Sequence, residues 1–337
     1  VLVTGGTGYI GSHTVVELVD QGYSVIIIDN LSNSQRDVLD RIQEITGQEI
    51  PFEQVDLRDR AELHQFFDRQ DAFDCIIHFA ALKAVGESVE QPLLYYQNNI
   101  SGLCNLLECV EKHEIPAMVF SSSCTVYGTP EKLPVTESTP LGKTESPYGY
   151  SKKVAEQIID DFANRYNFFK VISLRYFNPI GAHHTAKIGE LPLGVPNNLL
   201  PFITQTAAGI RERLSVFGSD YNTVDGTAIR DYIHVVDLAK AHIKALEYIY
   251  QDGVQVSHER FNVGTGRGSS VLEVIRSFEN STGVKVNYTL VDRRLGDVEA
   301  IYADASSANE VLGWEAIYDL DTMTKSAWLW QLTLPKK

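Results

Sequence analysis

The sequence predicts an α/β protein built on a doubly wound parallel sheet, with a smaller lobe in the C-terminal half. Apolar strands alternate with longer amphipathic stretches up to about residue 176, which is typical of right-handed βαβ units. The run at 25–28 is apolar throughout, as expected for a strand covered on both faces. A glycine-rich turn directly follows the first strand. Together these three observations favour a sheet sandwiched between helices.

Short apolar runs predict the strands, and longer stretches with one apolar face predict the helices. The pattern breaks after Asn178-Pro179, and residues 180–196, rich in Gly, Pro and His, are predicted to form a long loop. The predicted strands lie at 23–28, 75–79, 117–121, 171–176 and 260–263, with one more ending at 55–57, and the predicted helices lie at 92–112, 148–166 and 235–250.

The glycine turn has the spacing G-x-x-G-x-x-G, over Gly5, Gly8 and Gly11. Strand, glycine turn and helix together form a Rossmann-like element that binds dinucleotides. Glycines let the backbone approach a pyrophosphate closely, and the helix N-terminus directs free N–H groups towards it. Since many glycine-rich turns bind nothing, the turn alone leaves a purely structural role open.

The second strand ends in Asp29, about twenty residues beyond the glycines. An acid at this place accepts hydrogen bonds from an adenosine ribose 2′-OH and repels a 2′-phosphate, which favours NAD over NADP. The alternative is a solvated acid after a strand. We therefore expect residues 1–178 to form an NAD-binding Rossmann domain. Residues 179–337 are expected to form mainly a substrate-binding lobe, with some segments returning to the main sheet.

Composition narrows the range of partners. A formal net charge of −15 argues against nucleic acid and against an anionic membrane surface, and no apolar run is long enough to span a membrane. The four cysteines lack metal-ligand spacing, so we predict no metal site and free thiols in a reducing compartment. With no signal peptide visible, we expect a cytoplasmic location.

Tyr148 and Lys152 lie four residues apart and share one face of a predicted helix. A nearby ammonium favours the phenolate and lowers the pKa of the tyrosine, which could then take a proton from an alcohol. Ser123 follows the fifth strand, and its hydroxyl could share the alcohol oxygen. The alternative is a chance spacing, which the dinucleotide motif upstream makes less attractive.

With these motifs the chain resembles the extended short-chain dehydrogenase/reductases, which share the glycine turn, a serine after the fifth strand and Tyr-x-x-x-Lys. Within that group it resembles the UDP-glucose 4-epimerase family. The matching text extends from residue 1 to about 314 and includes the blocks 3–13, 78–88, 121–128, 174–179, 225–227 and 230–234.

The resemblance implies an enzyme of galactose metabolism that interconverts UDP-galactose and UDP-glucose. Tyr148 removes the proton of the 4-hydroxyl, hydride passes from C4 to tightly bound NAD, and the transient 4-keto sugar turns over before hydride returns. The implied catalytic residues are Tyr148, Lys152 and Ser123. The implied cofactor contacts are Gly5, Gly8, Tyr9, Ile10, Gly11, Asp29, Asn30, Leu31, Ser32, Asn33, Ser34, Asp56, Leu57, Phe79, Ala80, Ala81, Leu82, Lys83, Asn98, Ser123, Tyr148, Lys152 and Phe177.

The resemblance also assigns a UDP-sugar site and a homodimer that uses the helices at 92–112 and 148–166. Arginines suit this substrate, because guanidinium matches the oxygens of a diphosphate. The implied substrate contacts are Ser123, Tyr148, Asn178, Asn198, Leu199, Phe217, Arg230, Arg294 and Asp297.

Several alternatives stay open at this point. Ile301 stands where family members carry either a bulky or a small side chain, so activity on N-acetylated UDP-sugars remains possible, though we favour glucose and galactose. A 4,6-dehydratase of the same fold needs an Asp-Glu pair where this chain has Cys124 and Thr125. A dehydrogenase that releases NADH and a non-catalytic NAD sensor are the remaining candidates.

Overall fold

The structure, a computed structural model, describes residues 1–294 and 297–335. Its strands, in chain order, are β1 Leu2–Thr4, β2 Ile26–Asp29, β3 Phe52–Gln54, β4 Ile76–His78, β5 Ala117–Ser123, β6 Lys170–Tyr176, β7 Asn178–Ile180, β8 Leu214–Phe217, β9 Ile229–His234, β10 His258–Val263, β11 Gly268–Ser270, β12 Tyr288–Val291 and β13 Ala300–Ile301. Its α-helices are α1 Tyr9–Asp20, α2 Asp37–Thr46, α3 Arg60–Asp68, α4 Val85–Glu90, α5 Pro92–Tyr96, α6 Gly102–Lys112, α7 Pro147–Arg165, α8 Leu199–Ala207, α9 Val235–Ile249, α10 Val271–Thr282, α11 Ser306–Leu312 and α12 Leu320–Thr333.

Seven strands form one parallel sheet in the order β10-β6-β5-β4-β1-β2-β3. Alternate side chains of each strand enter two separate cores: on one face α1 and α9 cover Val3 and Val119, and on the other α6 and α7 cover Leu2 and Met118. The strands are therefore buried on both sides, as their apolar composition requires. The predicted doubly wound α/β fold is confirmed.

The C-terminal half contributes to both this sheet and a smaller lobe. Strand β10 pairs with β6 at the edge of the main sheet, and α9 covers the sheet beside α1. The lobe contains a small mixed sheet around β9 and a parallel pair of β8 with β12. Helices α8, α10 and α12 close a third core against these strands.

Most predicted elements occur, with shifted bounds. The helix predicted over 92–112 consists of α5, one π-helical turn at Gln97–Ser101, and α6. The strand predicted at 260–263 is β10, which begins two residues earlier. A π-helical turn leaves one extra residue in a helix, and such turns are frequent at functional sites.

A buried ion network joins α7 to the far strands of the main sheet. Arg175 of β6 donates from Nη2 to Glu156 Oε2 at 2.7 Å, and both side chains are almost completely buried. The Ser122 hydroxyl donates to the same carboxylate at 2.5 Å, and Arg260 of β10 donates to it at 3.3 Å. Burial opposes the ionisation of Glu156, yet these bonds, that from Arg175 first, hold the pKa of its carboxyl below the usual value.

We expect Arg175→Met to lower the free energy of unfolding by about 3–5 kcal/mol, because the Glu156 carboxylate then stays buried without its partner. Urea unfolding followed by circular dichroism measures this. Lys244→Met is the control, since it removes a half-exposed partner of Glu247 and should cost less than about 0.5 kcal/mol. Equal losses in the two variants would contradict the prediction.

Candidate active site

The strand order of the main sheet reverses between β1 and β4, and the candidate site lies at the carboxyl ends of these strands. Gly5, directly after β1, has φ of +71°, and a Cβ there would lie 2.7 Å from the backbone nitrogen of Ala80. A Cβ on Gly11 would lie 2.2 Å from the carbonyl oxygen of Gly5. The turn thus requires glycine at both positions to bring β1, α1 and the end of β4 together.

Helix α1 begins at this edge with an uncapped N-terminus. Its N-cap residue Gly8 has an extended backbone and offers no side chain to the first N–H groups, and the first turn holds no acidic residue. The N–H groups of Ile10 and Gly11 have no acceptor inside the helix. Free N–H groups and the positive end of the helix dipole suit a pyrophosphate, so the residues present fit that part of a dinucleotide.

The segment Asp29 to Ser34 is tied to the glycine turn. Asp29 accepts hydrogen bonds from the backbone of Thr7 at 3.3 Å and of Leu31 at 2.9 Å, and the hydroxyls of Thr7 and Ser34 lie 2.7 Å apart. Asn30 donates to Asp56 at 3.1 Å, which joins the predicted ribose and adenine positions.

Leu57, beside Asp56, has its carbonyl bound by Asn105 of α6 at 2.8 Å. The pKa of Asp56 is lowered to about 2, and the largest contribution comes from its hydrogen bonds with Arg58. Asp56 is therefore a carboxylate at neutral pH, and it sits where the resemblance places the adenine edge.

Asn99, a buried residue of the π-helical turn, holds the loop that follows β4. Its Oδ1 accepts from the Leu82 backbone nitrogen at 2.9 Å, and its Nδ2 donates to the Leu82 carbonyl and to Ser151 Oγ, both at 3.0 Å. Asn98, predicted as a cofactor contact, donates to Asn99 at 3.0 Å. Sequence reasoning missed Asn99, although two consecutive asparagines inside an apolar helix are a signal, because asparagine is a poor helix former.

The three predicted catalytic residues gather at the end of β5. Tyr148 and Lys152 lie on α7, and Ser123 is the last residue of β5. Lys152 Nζ donates to the Ser121 carbonyl at 2.6 Å and lies 4.9 Å from the centroid of the Phe120 ring. The helix register therefore places all three side chains at one edge of the sheet.

Burial opposes charge on both the tyrosine and the lysine. Desolvation raises the pKa of Tyr148 to about 12, against a smaller lowering by the nearby Ser123 hydroxyl. Desolvation also lowers the pKa of Lys152 to about 7, against the attraction of the Glu156 carboxylate. Tyr148 and Lys152 lie one turn apart on the same face of α7, so an ammonium at Lys152 would favour the phenolate form of Tyr148.

Four predicted substrate residues form a second group at the start of β9. Asp297 lies 2.9 Å from Arg294 Nη2 and 3.7 Å from Arg230 Nη2. The Arg294 guanidinium also lies 5.5 Å from the centroid of the Phe217 ring. Two guanidinium groups beside an exposed aromatic ring suit a nucleoside diphosphate.

Glu190, which sequence reasoning missed, links one predicted cofactor residue to one predicted substrate residue. Lys83 Nζ lies 3.2 Å from Glu190 Oε1, and Asn198 Nδ2 donates to the same oxygen at 2.5 Å. Lys83 was predicted to contact the cofactor and Asn198 the substrate. No local pattern marks this acid, because it stands in a loop and its partner Lys83 lies 107 residues away in the sequence.

The remaining predicted residues lie nearby. Asn178 pairs with Tyr232 of β9 as part of β7, and Leu199 opens α8. Phe177 shares a small buried core with Cys124 and Ile301. Within residues 1–294 and 297–335, no group of three or more His, Cys, Asp or Glu side chains could hold a metal ion, and no helix is long and apolar enough to cross a membrane.

Comparison with known proteins identifies the family. A family model described as GDP-mannose 4,6 dehydratase matches residues 2–327. A UDP-glucose 4-epimerase of Bacillus subtilis is 50% identical over 331 residues, covering 98% of this chain and 96% of that protein. This chain belongs to the UDP-glucose 4-epimerase family. The resemblance identified from the motifs is confirmed.

Other members of the UDP-glucose 4-epimerase family agree over the whole chain. The Drosophila melanogaster protein is 50% identical and covers 99% of this chain and 97% of its own. The Bifidobacterium longum enzyme, solved in complex with NAD+ and UDP, superposes with a TM-score of 0.94 at 46% identity, covering 98% of this chain and 97% of that one. The family fold is thus retained throughout.

We expect Asn99→Ala to weaken retention of dinucleotide about tenfold or more, because it leaves the Leu82 N–H and carbonyl groups without their partner. The measurement is the NAD released per chain when purified protein is denatured. Asn309→Ala is the matched control, since it removes an asparagine bond of 2.6 Å to the Trp314 carbonyl, outside the candidate site. Equal NAD content in the two variants would contradict a role for Asn99 in retaining the dinucleotide.

Proposed function

We propose that this chain is an isomerase that interconverts UDP-galactose and UDP-glucose at C4, within galactose metabolism, using tightly bound NAD. The observation that carries the proposal is the placement of Ser123, Tyr148 and Lys152 at the sheet edge onto which the glycine turn opens. Family membership supports the same reaction, because relatives about 50% identical over nearly the whole chain are named UDP-glucose 4-epimerase.

The proposed cofactor suits the residues at this edge. The N-terminus of α1 would hold the pyrophosphate, the loop from Asp29 to Ser34 the adenosine ribose, and the loop from Phe79 to Lys83 the nicotinamide end. Three solved family members carry NAD, those of Bifidobacterium longum, Stenotrophomonas maltophila and Brucella ovis. When bound, NAD supplies a reversible acceptor for the hydride of the sugar carbon.

Tyr148 is the proposed general base. Its phenolate would take the proton of the sugar 4-hydroxyl, and Ser123 would hydrogen-bond the same oxygen and hold it in place. Lys152 would stabilise the phenolate through its ammonium, held by the Ser121 carbonyl. Epimerisation leaves the redox state of the cofactor and the protonation state of the enzyme unchanged. Tyr148 would therefore return the proton at the end of each turnover.

The proposed substrate site is the arginine group at the start of β9. Arg230 and Arg294 would bind the diphosphate, and Phe217 lies beside them to contact the nucleoside. In a chain of net charge −15, such a local positive site is needed to hold an anion. On this basis, residues 1–178 would mainly bind NAD and residues 179–337 mainly the UDP-sugar, with α9 and β10 completing the main sheet.

The rival reactions have less support. A 4,6-dehydratase needs a carboxylic acid next to the catalytic hydroxyl, and this chain has Cys124 and Thr125 there. The chain lacks this acid even though the family model that matches it is described as a 4,6 dehydratase. Acceptance of N-acetylated sugars depends on the pocket wall at Ile301, which packs with Cys124 and Phe177. An isoleucine there leaves an intermediate amount of space.

We also propose a homodimer that meets through α4, α5 and α7. Val89, Leu93 and Tyr150 are 60%, 72% and 50% exposed, although large apolar side chains seldom cluster on the free surface of a monomer. The rings of Tyr96 and Tyr150, 6.2 Å apart, extend the same patch. Four free cysteines support a reducing, cytoplasmic location.

We expect purified protein, given UDP-galactose and no added cofactor, to form UDP-glucose, as followed by NMR, because NAD stays bound through turnover. Tyr148→Phe should lower the rate about 10²-fold or more, since it removes the proton acceptor. UDP-N-acetylgalactosamine offered in parallel measures the tolerance of Ile301. Net NADH release with added NAD, without sugar interconversion, would instead indicate a dehydrogenase, and bound NAD without either reaction a sensor.

We expect Leu93→Glu to convert the dimer to a monomer in sedimentation velocity, because it buries a carboxylate at the centre of the proposed interface. Leu332→Glu is the control, since that side chain is 58% exposed on α12, and it should leave the dimer intact. A wild-type protein that sediments as a monomer would contradict the homodimer.

A further inference from the structure

The carboxylate of Glu190 binds two residues that the proposed function assigns to different ligands. Its Oε1 accepts a hydrogen bond from Lys83 Nζ at 3.2 Å and another from Asn198 Nδ2 at 2.5 Å. A carboxylate oxygen has two lone pairs, so one atom can serve both donors. Lys83 ends the loop proposed to hold the nicotinamide end of NAD, and Asn198 is a predicted contact of the UDP-sugar. A single oxygen therefore connects the two proposed ligand sites.

Asn198 makes this bond in place of the one that its position favours. It is the N-cap residue of α8, where the oxygen of an asparagine side chain ordinarily accepts a hydrogen bond from the first turn of the helix. Its side chain forms no such cap and donates to Glu190 instead. An amide nitrogen carries two hydrogens, so the one that is not directed at Glu190 can bind a substrate.

Lys83 depends on Glu190 for its position. Its side chain is 42% exposed, whereas that of Glu190 is only 12% exposed. In the part of the chain that the structure describes, Lys83 forms an ion pair with no other carboxylate, and its Nζ lies 5.7 Å from the centroid of the Tyr9 ring. A half-exposed lysine has many rotamers, so a fixed acceptor is needed to select one of them.

The backbone that carries Glu190 is anchored by elements from both halves of the chain. Trp330 of α12 donates from Nε1 to the Glu190 carbonyl at 3.0 Å. Arg41 of α2 lies with its guanidinium 5.0 Å from the centroid of the Trp330 ring, and it donates to the Lys187 carbonyl at 3.2 Å. A Cβ on Gly189 would lie 2.5 Å from the Trp330 ring. This close packing gives the carboxylate a fixed support.

We propose that Glu190 is a positioning residue, which holds Lys83 and Asn198 in place so that occupancy of the substrate site strengthens the hold on NAD. This inference rests on the proposed function, in which Lys83 contacts the cofactor and Asn198 the substrate. A UDP-sugar bound to Asn198 would fix the Glu190 carboxylate, and the carboxylate would fix Lys83 against NAD. Glu190 acts through these two partners and not on the reacting atoms.

Coupling of this kind is reciprocal. If UDP strengthens the binding of NAD by some factor, NAD must strengthen the binding of UDP by the same factor. The physical source is conformational entropy, because the second ligand meets side chains that the first has already ordered. During turnover the protein would then hold the cofactor most firmly while the 4-keto sugar, still attached to UDP, occupies the site.

The test compares Glu190→Ala, Glu190→Gln and Glu279→Ala as purified holoenzymes. Glu279 of α10 is the matched control, because its carboxylate also joins two donors, Lys285 Nζ at 2.6 Å and the Val286 backbone nitrogen at 3.0 Å, outside the candidate site. One readout is the rate at which each protein loses NAD to charcoal, without nucleotide and with saturating UDP. The other is the Kd for UDP from titration calorimetry, and neither readout requires turnover.

In the wild type we expect saturating UDP to slow the loss of NAD about fivefold or more, as is typical of coupled sites. In Glu190→Ala this ratio should fall to about one, and UDP should bind about fivefold more weakly to the holoenzyme, as reciprocity requires. The KM for UDP-galactose should rise with that Kd, while kcat changes less than about twofold. Glu190→Gln keeps an acceptor oxygen and should fall between the two, and Glu279→Ala should match the wild type.

A wild type in which UDP leaves the loss of NAD unchanged would overturn the proposal. An unreduced effect of UDP in Glu190→Ala, or an equal reduction in Glu279→Ala, would overturn it as well. If Glu190→Ala does not fold, Asn198→Ala decides, since that side chain is exposed and its removal should abolish the effect of saturating UDP. A wild type that fails to interconvert the sugars would remove the proposed function, yet the loss of NAD with and without UDP would still show whether Glu190 couples the two sites.

Discussion

The register of α7 against the end of β5 is the constraint on which the site depends. Tyr148, Lys152 and Glu156 lie at successive turns of one helix, and the buried Lys152 and Glu156 are each compensated by a partner on the sheet. Each residue of a helix advances by 100°, so a slip of one position would carry the buried lysine and glutamate away from Ser121 and Arg175. The penalty for a misplaced buried charge thus enforces the geometry that the chemistry uses.

The parts of this molecule that follow local rules were accessible from the sequence. The strands at 75–79 and 117–121 were predicted because a short apolar run between two helices is typical of a strand that is buried on both faces of a parallel sheet. The glycine turn was predicted because Gly5 and Gly11 stand where any side chain would meet backbone. The spacing of Tyr148 and Lys152 was enough to put them on one face of one helix.

The parts that depend on contacts between distant segments were not accessible. Asn99 binds Leu82 seventeen residues away, and Glu190 meets Lys83 across 107 residues, so neither bond leaves a periodic trace in the chain. The electrostatics of the pair was only half visible, because spacing shows that an ammonium is near a phenol but not how strongly burial penalises both charges. Burial is a property of the assembled fold, and so are the bonds that offset it.

The return of β10 to the main sheet has a consequence for how the chain folds. Strand β10 covers the free edge of β6. Helix α9, from the same half of the sequence, lies beside α1 over the sheet face that carries Val3 and Val119. A fragment that ended at residue 178 would expose an unpaired parallel edge and an apolar sheet face. The first 178 residues are therefore not an autonomous folding unit, and the ribosome must synthesise β10 before the main sheet can be completed.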